Sequence, residues 1–84
     1  MNHLDLIKKK LLYRSNYRGK KEMDILLNKF VKKIINNLSE QELLDLEIFL
    51  NLEDEIIYDF YFNKIKNDKI IETQITKLFK DFKV

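Results

Sequence analysis

The segment Tyr17-Arg18-Gly19-Lys20-Lys21-Glu22-Met23-Asp24 is the one stretch of this 84-residue chain where residue choice and local folding rules disagree. Gly19 has no Cβ and so lets another backbone approach closely. Arg18 beside it offers a planar fork that fits a carboxylate, and Glu22 can accept from a partner's donors. Lys20 and Lys21 fall in what reads as the first turn of a helix, where each opposes the positive end of the helix dipole at a cost of about 0.3–1 kcal/mol. Local misfits of this kind mark function, and these residue types suit protein recognition. A purely structural reading stands beside it: Gly19 ends the preceding helix, Glu22 and Asp24 complement the dipole, and Arg18 with Glu22 forms a weak surface pair.

Other chemistries lack their residues. With no cysteine and one histidine, the chain has neither a thiolate nucleophile nor a His/Cys zinc set. His3 reads as a solvated side chain near a terminus rather than an acid or base. The acids Glu40, Glu42, Asp45, Glu47, Glu53, Asp54, Glu55 and Asp59 read as a solvated face, and they lack the glycine about which a calcium loop turns. No glycine-rich phosphate cradle or nucleophile elbow occurs. We therefore expect no enzyme, no metal site and no bound cofactor.

Net charge is +2 but uneven. Residues 1–38 carry ten Lys/Arg against three Asp/Glu, and residues 39–84 carry six against eleven. Lys8, Lys9, Lys10, Arg14, Arg18, Lys20 and Lys21 could form a small nucleic-acid site, which would be strongly salt-dependent. A total of +2 falls short of the basic footprint such domains show, so nucleic acid is not the expected partner.

The elements that must position these residues are helices. Proline is absent and Gly19 is the sole glycine, which removes the usual punctuation of hairpins. Leu4, Ile7, Leu11 and Leu12 predict helix 1 over about 3–14, opposite Lys8-Lys9-Lys10, and Ser15 to Gly19 forms a turn. Met23, Leu26, Leu27, Phe30, Val31, Ile34 and Ile35 predict helix 2 over about 20–36. Ser39 and Glu42 form a capping box, so helix 3 starts at Glu40 with Leu43, Leu44, Leu46 and Leu50 inward. A fourth helix is expected over 54–63, with Ile57 and Phe60 in the core and Tyr58, Tyr61 and Phe62 ambiguous. After a break at Asn67-Asp68, Ile71, Ile75, Leu78, Phe79 and Phe82 mark the face of a fifth. The expectation is an all-α, compact five-helix bundle, with residues 1–84 as one domain, and no apolar run reaches the roughly 18 residues of a membrane span.

Arg14-Ser15-Asn16-Tyr17-Arg18-Gly19-Lys20-Lys21-Glu22-Met23-Asp24 resembles the R-G-x-x-E-x-D signature of the SdhE family, also called succinate dehydrogenase assembly factor 2. Arg18, Gly19, Glu22 and Asp24 match its positions. The likeness continues through Leu26-Leu27, Phe30, Leu38-Ser39-Glu40 and the passage from Leu50 to Asp59. Lys20 stands where the family commonly has methionine, Glu55 where it has proline and Phe60 where it has tryptophan.

The resemblance implies a chaperone-like five-helix protein that binds the flavoprotein subunit of succinate dehydrogenase, or in some bacteria of fumarate reductase, and promotes covalent FAD attachment. On that reading Arg18, Glu22 and Asp24 contact the partner, Gly19 permits its close approach, and Tyr17, Lys20 and Lys21 flank the contact. An antitoxin-like role, proposed for relatives, has no residue here to carry it. The free chain is expected to be a monomer in the bacterial cytoplasm, since helix 1 begins almost at once with no targeting extension.

Overall fold

The computed structural model describes residues 3–16 and 18–83. Among them are α1 (His3–Asn16), α2 (Lys21–Ile34) followed by a 3₁₀ turn (Ile35–Asn37), α3 (Glu40–Leu50), α4 (Asp54–Phe62) and α5 (Gln74–Asp81). The radius of gyration is 12.1 Å. α1 packs on α2 and α3, and α5 packs on α3 and α4. The all-α expectation holds.

Each departure from the expected boundaries has a local cause. α1 runs to Asn16 because the buried Ser15 hydroxyl donates to the Leu12 carbonyl at 2.7 Å and accepts at long range from Asn28 Nδ2 (3.5 Å). These bonds leave the buried hydroxyl satisfied inside the helix. α2 tightens into 3₁₀ geometry over its last residues, a common way to close a helix end. α3 starts at Glu40 as expected: Ser39 Oγ accepts from the Glu42 amide (3.2 Å), and Glu42 Oε1 accepts from the Ser39 amide (2.9 Å).

α5 begins later than the break at Asn67-Asp68 suggests. The Asn67 side chain accepts from the Lys69 amide, and its carbonyl accepts from Ile70, which makes a turn. Only at Thr73 does a cap form, with the Thr76 amide donating to Thr73 Oγ1 and the Thr73 amide to Thr76 Oγ1. Ile71 therefore lies outside the helix and is 59% exposed, and Leu78 sits at the helix edge.

All five helices contribute to the core, α1 through Leu11 and α4 through Ile57. Met23, Leu26, Leu27, Phe30, Val31 and Ile34 form the buried face of α2 and share one cluster with Leu43, Leu46, Phe49 and Leu50 of α3 and Ile75 and Phe79 of α5. Leu44, expected inward, is 46% exposed. With Leu43, Leu46 and Leu50 on the buried face, position 44 turns about 100° away and joins Ile48 on the outside.

Phe79 is the hub, with ring centroids 4.9 Å from Phe30, 5.0 Å from Phe49 and 4.9 Å from Tyr61. Tyr61 is held to this cluster, its hydroxyl donating to the Phe82 carbonyl. Tyr58 and Phe62, one turn apart on α4, instead pack on each other at 4.7 Å on the outer surface. Phe79→Ala is expected to lower stability by about 3–5 kcal/mol. Ile71→Ser should stay within about 0.5 kcal/mol of wild type. Urea denaturation followed by far-UV circular dichroism measures both.

Candidate partner-binding site

The turn between α1 and α2 is built around one side chain. Arg18 points inward across 36 residues of sequence to the junction between α3 and α4. Its Nε donates to Asp54 Oδ1 at 2.8 Å, Nη1 to the Leu50 carbonyl, and Nη2 to the Leu52 carbonyl at 2.8 Å. Leu50 ends α3, so its carbonyl is one of those that a helix C-terminus leaves without an intrahelical donor. Asp54 opens α4, where its charge also complements the helix dipole. The guanidinium thus closes one helix, anchors the connection and pairs with the start of the next.

Arg18 and Asp54 side chains are 10% and 18% exposed. At that burial the rigid fork matters, because each nitrogen meets an acceptor without further ordering. A lysine ammonium, a single point on a flexible stem, cannot reproduce three divergent contacts.

Asp24 holds the other side of the turn. Its Oδ1 accepts the Arg18 backbone amide, tying the turn to the first turn of α2. Lys20 precedes that helix in an extended conformation with no side-chain cap, and the Met23 and Asp24 amides donate to its carbonyl. Gly19 sits between these ties at φ +95°, a backbone region that L side chains rarely adopt. A Cβ added there would meet nothing within 4 Å. The backbone angle, not crowding within the chain, is what requires glycine, and the space over its Cα is open.

The structure thus divides the expected site residues. Gly19, Lys20, Lys21 and Glu22 are exposed side by side, and Glu22 has no ion-pair partner among the described residues. Arg18 and Asp24 are partly buried and bonded to their own chain. The surface pair of Arg18 with Glu22 is replaced by the partly buried pair with Asp54. Tyr17 lies outside the described residues. The basic set considered for nucleic acid loses Arg18, whose charge is turned inward. Asp54 leaves the solvated acidic face, and no local signal in the sequence links it to Arg18. Among the described residues no cluster of His, Asp and Glu could hold a metal ion, and no helix is long and apolar enough to cross a membrane.

Residues 9–83 match the family described as the flavinator of succinate dehydrogenase. The chain belongs to this family. Relatives within it include the mitochondrial succinate dehydrogenase assembly factor 2 of Dictyostelium discoideum, 33% identical over 78 residues, covering 93% of this chain and 55% of the relative. The corresponding protein of Saccharomyces cerevisiae is 31% identical over 86 residues, covering 94% and 51%. The FAD assembly factor SdhE of Acetobacter pasteurianus is 33% identical over 58 residues, covering 69% and 53%. The chain spans about half the length of these relatives. No solved structure matches it significantly. The family members are named as assembly factors rather than catalysts, in agreement with the expectation that this chain is not an enzyme.

The expected bacterial cytoplasmic location does not stand. Mitochondrial assembly factors of Dictyostelium discoideum, Komagataella phaffii and Saccharomyces cerevisiae are among the flavinator family's matches here, beside the bacterial factor. Where this chain begins says nothing of its address.

Arg18→Met is expected to lower stability by about 2–3 kcal/mol, the scale of hydrogen bonds to a charged group. Arg18→Lys should recover only a minor part of that loss, and Glu22→Ala should change stability by less than about 0.5 kcal/mol. A double-mutant cycle of Arg18→Met with Asp54→Ala, read by urea denaturation, should show clear coupling.

Proposed function

We propose that this chain binds the flavoprotein subunit of succinate dehydrogenase, or of fumarate reductase, and promotes covalent attachment of FAD to it. The observation that carries the reading is the tied turn, in which Arg18 and Asp24 hold the backbone from inside while Gly19, Lys20, Lys21 and Glu22 face outward. Membership of the flavinator family supports this choice of client.

The chain contributes binding, not bond-making. The link between flavin and a client histidine draws its chemistry from the flavin and the client. A factor that binds one client conformation more tightly raises its population by that difference in affinity. Gly19 admits the client backbone over its open Cα. Glu22 accepts hydrogen bonds from the client, and Lys20, Lys21 and Tyr17 flank the contact. Arg18 and Asp24 act as positioning residues, since an already ordered turn loses less conformational freedom on binding. The free factor is a monomer.

The test is co-expression of this chain with the succinate dehydrogenase flavoprotein subunit in a host lacking its own factor. In-gel flavin fluorescence after denaturation reads covalent FAD alone. Wild type should raise the signal, and Glu22→Lys and Gly19→Arg should each reduce that gain at least tenfold. Glu22→Lys should do so with unchanged urea denaturation. Variants as effective as wild type would remove the turn as the contact site, and a wild type without effect would remove the proposed client.

A further inference from the structure

At the end of α4 opposite the Arg18 anchor lies a second surface that the client site does not use. Three adjoining depressions, of about 300, 180 and 50 Å³, all have Phe60 in their walls. Phe60 is half-buried, its ring stacked nearly parallel to Phe79 at 6.4 Å, so the depressions share an apolar floor seated on the core hub. α4 separates this floor from Asp54 by six residues, roughly 9 Å of helix.

The rim is basic. Lys66 lines all three depressions, Lys80 two of them and Lys77 one, while Lys64 closes the smallest. Lys64 is already engaged in the fold, because its ammonium donates to the Tyr61 carbonyl at 3.0 Å and lies 5.6 Å from the Tyr61 ring centre, closing the end of α4. Lys77 and Lys80 have no ion-pair partner among the described residues. Lys66 has only a loose, solvated contact with Glu72 at 3.8 Å, a geometry that contributes little. Three exposed ammonium groups, against the one carboxylate of Glu72, therefore surround the aromatic floor of the two smaller depressions, in the half of the chain whose balance is acidic.

The geometry points to a docking groove for an acidic polypeptide segment that carries an apolar side chain. Its apolar side chain sits on Phe60, and its carboxylates meet Lys66, Lys77 and Lys80. Charge complementarity with the two smaller depressions, where lysines outnumber Glu72, sets the sign of the ligand. Dispersed lysines, with no arginine fork in the lining, suit separate carboxylates better than one bidentate phosphate. This groove stands independently of the proposed flavoprotein client, because its ligand is tested without that client.

The probe is a fluorescein-labelled glutamate-rich peptide with a central pair of leucines, titrated against the full chain by fluorescence anisotropy at low and physiological salt. Wild type should bind it, more weakly as salt rises. Lys66→Glu/Lys80→Glu should weaken binding at least tenfold, whereas Lys8→Glu/Lys9→Glu, with the same change in net charge, should weaken it less than threefold. Gly19→Arg should leave it unchanged. Replacing the leucines by serine should also weaken binding, and amide NMR shifts in wild type should map to residues 60–80. The proposal fails if the peptide does not bind at low salt or if both charge reversals act equally. It fails also if inorganic pyrophosphate displaces the peptide at equimolar concentration. Shifts in residues 60–80 that depend on protein concentration without peptide would assign the groove to a second copy instead, and overturn it.

Discussion

The guanidinium of Arg18 is the contact on which the arrangement of this small protein rests. Three of its nitrogens meet two carbonyls and a carboxylate that belong to the end of α3, the α3–α4 connection and the start of α4. Without that donor set, the Leu50 and Leu52 carbonyls and the Asp54 carboxylate would need other partners at a site with little access to water. The backbone amide of the same residue is tied to Asp24 in α2. One residue therefore links the α1–α2 turn to the α3–α4 junction.

This arrangement matters more because the domain is small. Chains of this length bury a modest share of their surface and have little stability in reserve. The apolar core extends from α2 through α3 to α5, with Ile57 of α4 also fully buried. Phe79 joins rings from α2, α3 and α4 in one cluster. Beyond Ile57, Phe60 and Tyr61, the outer side of α4 is open, which leaves its placement to the Arg18 anchor at one end and the Tyr61–Phe82 tether at the other.

Local rules made most of the helices legible. Six apolar residues at helical spacing defined α2, with Ile35 in the 3₁₀ turn that follows, and Ser39 with Glu42 placed the start of α3 at the correct residue. Where side-chain hydrogen bonds decide boundaries, periodicity alone misplaced them. Ser15 continues α1 by bonding back to Leu12, and Thr73 with Thr76 delays α5 beyond Ile71. Leu44 shows the limit of hydrophobicity as a guide to burial, because four leucines within eight residues cannot all share one face of a helix. The candidate site was legible as a place, since Gly19 has the left-handed backbone that only glycine adopts freely. The direction of Arg18 was not, because its partners lie more than thirty residues away and two of them are backbone carbonyls, which leave no trace in residue type.

The inward course of Arg18 changes what its substitution can reveal. If this arginine were a surface contact, removing it would weaken partner binding and leave the fold intact. Here its removal acts first on the α3–α4 junction and only through that on the turn carrying Gly19 and Glu22. Loss of activity in an Arg18 variant would therefore combine altered presentation with reduced stability, and would not locate an interface. Glu22, exposed and without an ion-pair partner among the described residues, has no comparable role in the fold. The signature thus joins two different placements in a few residues, in which arginine and aspartate tie the turn from inside while glycine and glutamate stand exposed on it.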